Sequence, residues 1–559
     1  MTIEIILLTT AILLVLSIIA STASNRLGIP ALLLFLVIGM LAGSDGPGGI
    51  FFEDAALAQA VGVVALAFIL FSGGLDTDWQ RIKPVLGPGL ALANVGVVVS
   101  MALVGGFAVL MLDFPLLEAL LLGAIVSSTD AAAVFSVMQT RDVNLKGNLE
   151  PLIELESGSN DPIAVFLTIG ITGLITTPDT SMLDLIPSFI LQMLLGAAGG
   201  YLMGLLMTAL VNRLRLAQEG LYSVLTLALV LLTYSATTAI GGNGFLAVYL
   251  AGIVMGNRKF IHKRSLLRFH EGVAWLMQIG MFLTLGLLVY PSRLLPVIGG
   301  GLLISVFLIA VARPVSVFFA LAFVRMSVSE KLMISWSGLR GAVPIVLATF
   351  PLLAGVPRAD LIFNLVFFIV LTSVLIQGVS IQWMARMLGV NTGTPSERHY
   401  PLEFIPDVNA SSRLSELPIP AGAVSVGKSI MQLALPRGAL VIVVRRGQET
   451  IVADGSTILE AGDRLLLLAK PEALTEVRAT LGVPAASVRM VEPKMSLMAR
   501  VRWHVVNGLR TRRTTNRGRR TEDDEQRTTN RGRRTEDDGR AKTDHRPPTI
   551  DDQPPTTDE

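Results

Sequence analysis

The sequence predicts a polytopic α-helical membrane protein of about thirteen spans, arranged as an inverted repeat with two broken helices and followed by a small α+β domain and a coreless tail. Three observations carry that expectation. Of 559 residues, 52% are hydrophobic and 16% charged, against ~25% charged in an ordinary soluble protein. Apolar stretches long enough to cross a bilayer core recur from Met1 to about Gly389, after which the chain turns polar. Polar clusters interrupt three of those stretches at mid-membrane depth. The net charge of +2 averages unlike regions and points to no nucleic-acid partner, and the absence of cysteine excludes disulfides and thiolate catalysis.

The expected spans are 3–23, 29–44, 57–75, 86–112, 116–138, 148–176, 183–212, 219–239, 245–256, 267–289, 295–324, 331–353 and 361–385, a transmembrane domain over 1–390. The first has neither a charged leader nor a small-residue cleavage site, so it reads as a retained span rather than a signal peptide. Loop charges test the count. With the N-terminus outside, the inner loops carry Arg26, Arg81, Lys83, Arg141, Lys146, Arg213, Arg215, Arg258, Lys259, Lys263, Arg264, Arg268, Arg325 and Lys331. The outer loops carry only Arg293 and Arg358. Positive residues stay on the cytoplasmic side during insertion, so the pattern predicts a multi-pass inner (plasma) membrane protein with a cytoplasmic C-terminus.

Beyond the membrane, 391–404 is a polar linker with Gly393, Pro395 and Pro401. Over 405–484, Ala439–Val444 reads as a strand, Arg446-Gly447 as a turn and Thr450–Ala453 as the return strand. Ala461-Gly462-Asp463 then turns into the strand Arg464–Ala469, and Pro471 opens a helix to Leu481. The basic segment 485–512 fits either an amphipathic helix on the membrane face or a solvated linker. In the tail, 513–559, Arg513–Asp524 recurs unchanged as Arg527–Asp538, with charges that nearly cancel and no aromatic residue, a composition that cannot build a core.

Ionisable groups inside spans carry the chemistry, because each costs several kcal/mol unless paired or hydrated. Span five is interrupted by Ser127-Ser128-Thr129-Asp130, and span twelve by Trp336–Gly341 with Pro344 behind it. Pro344 would free the carbonyl of Arg340. The two breaks lie seven spans apart, as an inverted repeat of six helices plus a connector would place them, and paired broken helices point to a transporter's binding site. Between them, span six carries Glu154, Glu156, Ser157, Asn160 and Asp161. Ser157 and Asp161 are i,i+4 and share one face, while Glu156 and Asn160 share the next. Asp161, with Ser157, can offer hard oxygen ligands to a small cation. Out of water, one carboxylate holds a proton or a cation but not both, which couples two fluxes. With Asn160 beside it rather than a second carboxylate, the expected exchange is electroneutral. Glu156 is expected as the partner of a buried base, Arg340, in a structural ion pair. Thr129-Asp130 fits a helix N-cap, an ion-site contribution, or both. Asp76 and Asp78 read as solvated, Arg313 as paired or snorkelling, and His262 and His270 as surface histidines.

Two function classes follow: a secondary transporter exchanging a monovalent cation for H⁺, and a ligand-gated cation channel with a cytoplasmic sensing module. A channel needs rings of filter groups, whereas this chain offers one titratable carboxylate between two broken helices. No His-Glu-x-x-His or Gly-x-Ser-x-Gly pattern supports an enzyme, and no cofactor is expected.

At Ser127–Asp130, Glu156–Pro162, Gly338–Ala342 and Gly242–Ala247 the sequence resembles the monovalent cation:proton antiporter-1 family of NhaP-type exchangers, over about 5–390. The resemblance implies a homodimer in the lipid bilayer, with cation and proton bound at Asp161 and support from Ser157, Thr129, Asp130 and Asn160. It implies the same Glu156–Arg340 pair and places the cation at Asp161, Ser157 and Thr129. The 405–484 segment is similar to the TrkA-C (RCK-C) module of potassium transport proteins. That similarity implies a regulatory role, a small-molecule ligand and K⁺ ahead of Na⁺. No Gly-x-Gly-x-x-Gly unit precedes the module, so no nicotinamide-binding half is expected.

Overall fold

A computed structural model describes residues 2–27, 30–140, 143–177, 181–392, 413–436, 438–447, 449–483 and 489–490. The chain divides into two compact units, Met1–Arg398 and His399–Glu559, each described by itself.

In the first unit every expected span meets a helical stretch. These are α1 (Ile3–Leu27), α2 (Ala31–Ala42), α3 (Ala55–Asp76), α4 (Trp79–Leu112), α5 (Leu116–Ile125), α6 (Ala131–Thr140) and α7 (Leu149–Thr176). They continue with α8 (Met182–Arg213), α9 (Gly220–Ala239), α10 (Gly244–Gly256), α11 (Lys263–Leu287), α12 (Pro291–Ala320), α13 (Val328–Trp336), α14 (Ala342–Leu353) and α15 (Ala359–Met387). Spans five and twelve are each two helices, α5/α6 and α13/α14, with turns and non-helical backbone between them. Pro344 falls in the first turn of α14, where a missing N–H costs nothing. The helix therefore starts after Arg340 instead of running through it.

The starts of the helices follow from local chemistry. Asp54 accepts from the Leu57 N–H at 2.8 Å to cap α3, and Ser327 with Glu330 closes a capping box on α13. Asn243 caps α10 through the Leu246 N–H and donates to the Pro162 carbonyl of α7 at 2.9 Å. Helix α10 then packs on α3 and α8. Gly74, Gly252 and Gly256 let the α3 and α10 backbones touch, because an added Cβ at any of them would strike main chain of the other helix.

The repeat is legible in α4 and α12. Arg81–Leu90 (RIKPVLGPGL) is matched by Arg293–Leu302 (RLLPVIGGGL). Both carry a tight turn at the proline, Lys83–Val85 and Leu295–Val297, and a wide π turn further on, Leu92–Gly96 and Leu308–Ala312.

The end of α15 is laced to the loop before α7. Lys146 N–H donates to the Val390 carbonyl and Thr392 N–H to the Asn144 carbonyl, each at 2.9 Å, and Lys146 Nζ reaches the Gly389 carbonyl at 2.7 Å.

The second unit is a five-stranded antiparallel sheet of order β3-β2-β4-β1-β5, with β1 (Arg413–Pro418), β2 (Ala439–Arg446), β3 (Glu449–Val452), β4 (Arg464–Ala469) and β5 (Arg489–Met490). Its helix α16 (Pro471–Leu481) brings Val477 and Leu481 onto Val444, Leu465 and Leu467. Strands β1 and β5 extend the expected hairpin and third strand. Asp463, fully buried, accepts from Arg446 Nε and Nη2 at 3.0 Å each and from the Glu460 N–H at 2.8 Å. Burial opposes its charge, but the Arg446 guanidinium and the Glu460 N–H outweigh that and hold the carboxyl below the usual carboxylate range. The linker beyond Thr392, the start of the module up to residue 412, most of 485–512 and the repeat tail 513–559 lie outside the described residues.

Candidate functional site

The two breaks cross, and α7 runs past the crossing. The Asp130 N–H donates to the Leu339 carbonyl at 2.8 Å, so backbone from one break pairs with backbone from the other. Asp130 Oδ1 accepts from the Ala133 N–H at 3.0 Å, capping α6. The same carboxylate fills the space in front of Gly341, the N-cap of α14, where a Cβ would collide with it. One carboxyl group thus stands before two positive half-helix ends.

Arg340 works at the opposite poles. Its Nη1 donates to the carbonyls of Ser127 and Ser128 at 2.8 and 2.7 Å, just past the end of α5. Its N–H is held by Ser373 Oγ at 3.1 Å, and Ser373 in turn donates to Gln377, whose amide reaches the Trp336 carbonyl at the end of α13. Broken helices leave unsatisfied carbonyls in a place without water, and these side chains satisfy them.

Helix α7 meets the crossing through three side chains. Asp161 Oδ1 accepts from Ser128 Oγ at 2.5 Å. Asn160 Nδ2 donates to Thr129 Oγ1 at 2.6 Å, and the Thr129 N–H donates to Asn160 Oδ1 at 3.4 Å. Ser157 Oγ donates to the Thr129 carbonyl at 2.8 Å and accepts from the Ala131 N–H at 2.9 Å. Asp161, Asn160, Ser157, Thr129 and Ser128 are all buried. Pro162 has no N–H to give the Gly158 carbonyl, which leaves one more oxygen without its helical donor beside Asp161. Among the described residues no cationic side chain forms a salt bridge with Asp161.

The expected Glu156–Arg340 ion pair is not the one that forms. Glu156 Oε1 pairs with Arg313 Nη1 at 2.6 Å, with side chains 2% and 4% exposed. Arg313 arrives on α12 and also donates from Nη2 to the Ile334 carbonyl in the last turn of α13, at 3.4 Å. Arg340 is occupied by the α5 carbonyls, so the carboxylate takes the other guanidinium.

The transmembrane pattern of the sodium/hydrogen exchangers matches residues 11–387, and the TrkA-C domain pattern matches 414–482. The chain belongs to the sodium/hydrogen exchanger family. It is 42% identical over 477 residues to the K(+)/H(+) antiporter NhaP2 of Shewanella baltica, covering 83% of this chain and 81% of the relative. It is 40% identical over 493 residues to the K(+)/H(+) antiporter NhaP of Alkalimonas amylolytica, covering 87% and 85%. The sodium proton antiporter MjNhaP1 from Methanocaldococcus jannaschii shares its fold, with a TM-score of 0.58 over 68% of this chain and all of that one at 24% identity. As a sodium/hydrogen exchanger with a TrkA-C domain, this chain is a monovalent cation/proton exchanger, and the channel alternative finds no support.

Of the residues singled out in sequence, this exchanger brings Asp161, Asn160, Ser157, Thr129 and Asp130 to one crossing and places Arg340 there as a carbonyl donor. Ser128, to which the sequence motif gives no role, is the group bonded to Asp161. Ser373 and Gln377 do not stand out in sequence among the polar residues of α15. Their i,i+4 spacing is the signal that could have found them. His262 is exposed and pairs with Glu219 at 3.2 Å. His270, expected at the surface, is buried with Nε2 2.9 Å from Thr226 Oγ1. Helix α11 begins four residues earlier than the expected span, so His270 falls one turn after the buried Leu266, on the same inward face.

Proposed function

We propose that this exchanger moves K⁺, with Na⁺ second, against H⁺ in one-for-one, electroneutral exchange contested at Asp161. The observation that carries the reading is the isolation of Asp161: a buried carboxylate with one hydroxyl on it and no salt bridge. A charge left so in a low-dielectric site must acquire a proton or a cation. Thr129, Ser157, Asn160 and Asp130 shape that site. Asn160 holds Thr129, Ser157 ties the Thr129 carbonyl to α7, and Asp130 screens the half-helix ends facing the ion. The cation would sit against Asp161, Ser157 and Thr129 oxygens. The names of the relatives and the TrkA-C domain favour K⁺. A homodimer in the inner membrane with its N-terminus outside fits the family and the basic loops. A small-molecule ligand at the 405–484 module would act by binding the inward- and outward-facing states unequally. The test is cation-dependent H⁺ movement in inverted vesicles. Asp161→Asn should abolish it with K⁺ and Na⁺ alike at normal membrane abundance. Substantial residual exchange would remove Asp161 from the mechanism, and a rate that follows imposed membrane potential would remove electroneutrality.

A further inference from the structure

Glu154 lies seven residues before Asp161 on α7, two turns and about 10 Å along the same face. It is only half-buried and sits toward the end of α7 that carries the basic loops. Its Oε1 accepts from Thr77 Oγ1 at 2.6 Å, and Thr77 Oγ1 also lies 2.9 Å from the Gly73 carbonyl of its own helix. One hydroxyl proton cannot make two full-strength hydrogen bonds at once, so it favours one acceptor at the expense of the other. When it turns to Gly73, the oxygens of Thr77 and Glu154 face each other with nothing positive between them.

Between Glu154 and Asp161 stands Tyr249 of α10. Its ring lies over Gly158, midway between the two acids on that face, where a Cβ would occupy the ring position. The side chain is 3% exposed, and its hydroxyl completes no hydrogen bond of ordinary geometry. That hydroxyl is within electrostatic reach of both Glu154 and Asp161 and lies beside the Thr77 side chain, with which it makes no hydrogen bond of full geometry. The groups around Glu154 are mostly acidic: Asp78, Glu150 and, through its own field, Asp76, with Arg81 the basic neighbour and already 3.3 Å from Glu150.

We propose that Glu154 and Thr77 form a second monovalent-cation station on the basic-loop side of the Asp161 site, with the phenol of Tyr249 as the partition between them. The proposal rests on the reading of Asp161 as the exchange site and adds the step before it. A cation shedding water on its way into the bilayer needs oxygen ligands in place of hydration. Glu154 Oε1, Thr77 Oγ1 and the unsatisfied Tyr249 hydroxyl supply them about two helical turns from Asp161. The ring over Gly158 keeps water out of the Asp161 site until the cation passes, so protons do not leak past.

Radioactive Rb⁺ binding to the purified full-length chain in detergent tests the station. Asp161→Asn should retain a weaker Rb⁺ site, and adding Glu154→Gln should remove it. Glu154→Gln alone should raise the apparent KM for K⁺ roughly tenfold, the equivalent of about 1.4 kcal/mol, with Vmax little changed. If Asp161→Asn binds no Rb⁺, or its residual binding survives Glu154→Gln, the station does not exist. Should Glu154→Gln fail to elute as intact protein, Thr77→Val is read in the same way. For the partition, Tyr249→Phe should keep H⁺ flux dependent on K⁺, while Tyr249→Ala should pass H⁺ without it. Tight coupling in Tyr249→Ala overturns that part. Failure of the underlying reading looks different, because Asp161→Asn would then still transport.

Discussion

The buried pair between Glu156 and Arg313 offers a sharp test, because sequence spacing alone named a different arginine. At 2.6 Å, with both side chains almost wholly out of water, removing one partner strands the other. Such truncations cost ~3–5 kcal/mol. Arg340 also lies within electrostatic reach of Glu156, and its Nε and Nη2 complete no hydrogen bonds. It can therefore relieve part of the stranded charge, and the expected cost of Arg313→Met is near the lower limit, ~3 kcal/mol. At ~2 °C per kcal/mol for a large helical unit, the melting temperature should fall by ~6 °C. The assay is thermal unfolding of purified protein, run as two double-mutant cycles, Glu156→Gln with Arg313→Met and Glu156→Gln with Arg340→Met. The first cycle should show coupling of ~2–3 kcal/mol, the second under ~1 kcal/mol. Arg340→Met will still destabilise, because it uncaps the Ser127 and Ser128 carbonyls, but that loss should not depend on residue 156. Stronger coupling of Glu156 to Arg340 than to Arg313 would refute the assignment.

Three further outcomes follow from the same geometry. Gly341→Ala would drive a methyl into the Asp130 carboxylate; we expect ~1–3 kcal/mol of destabilisation and loss of exchange in vesicles, and wild-type activity would contradict the crossing. Asp463→Asn should cost ~1.5–3 kcal/mol in the TrkA-C domain, read as early unfolding by limited proteolysis of the full chain. Because the folded carboxyl lies below its ordinary value, its contribution is full above the unfolded pKa and fades as pH falls through the lowered one; the deficit of Asp463→Asn should therefore shrink in acid, and a pH-independent deficit would contradict the ion pair. Thr392→Pro deletes the N–H that donates to the Asn144 carbonyl and should shift the pH at which exchange is half-maximal, as truncation after Thr392 should, while leaving Asp161 chemistry intact; an unmoved half-point in both would remove the module from regulation.

The sequence by itself determined what depends on local pattern. Apolar run length marked thirteen stretches that all meet helices, and among the described residues eight helices are long and apolar enough to cross a bilayer on length and composition alone. Polar interruptions set the two broken helices, and turn residues such as Ala461-Gly462-Asp463 marked the strands of the small domain. Helical periodicity put Ser157 and Asp161 together, but Asn160, grouped in sequence with Glu156, joins them at the crossing through Thr129 while Glu156 turns to Arg313. Pattern did less well where a short strand lacked alternation or a turn signal, as with β1 and β5. Only the tertiary structure decided which helix came against each of those faces. Period 3.6 orients a side chain about its own axis and says nothing about what lies opposite, so Glu156 could be matched with a base but not with the right one. Arg313 reaches it from α12, Arg340 is drawn away by the carbonyls that the break in α5/α6 leaves bare, and Ser128 rather than a residue of α7 comes to Asp161. Those outcomes depend on how two backbone breaks cross, and the crossing is made by a bond between Asp130 and Leu339, residues too far apart in the chain for any local rule to connect.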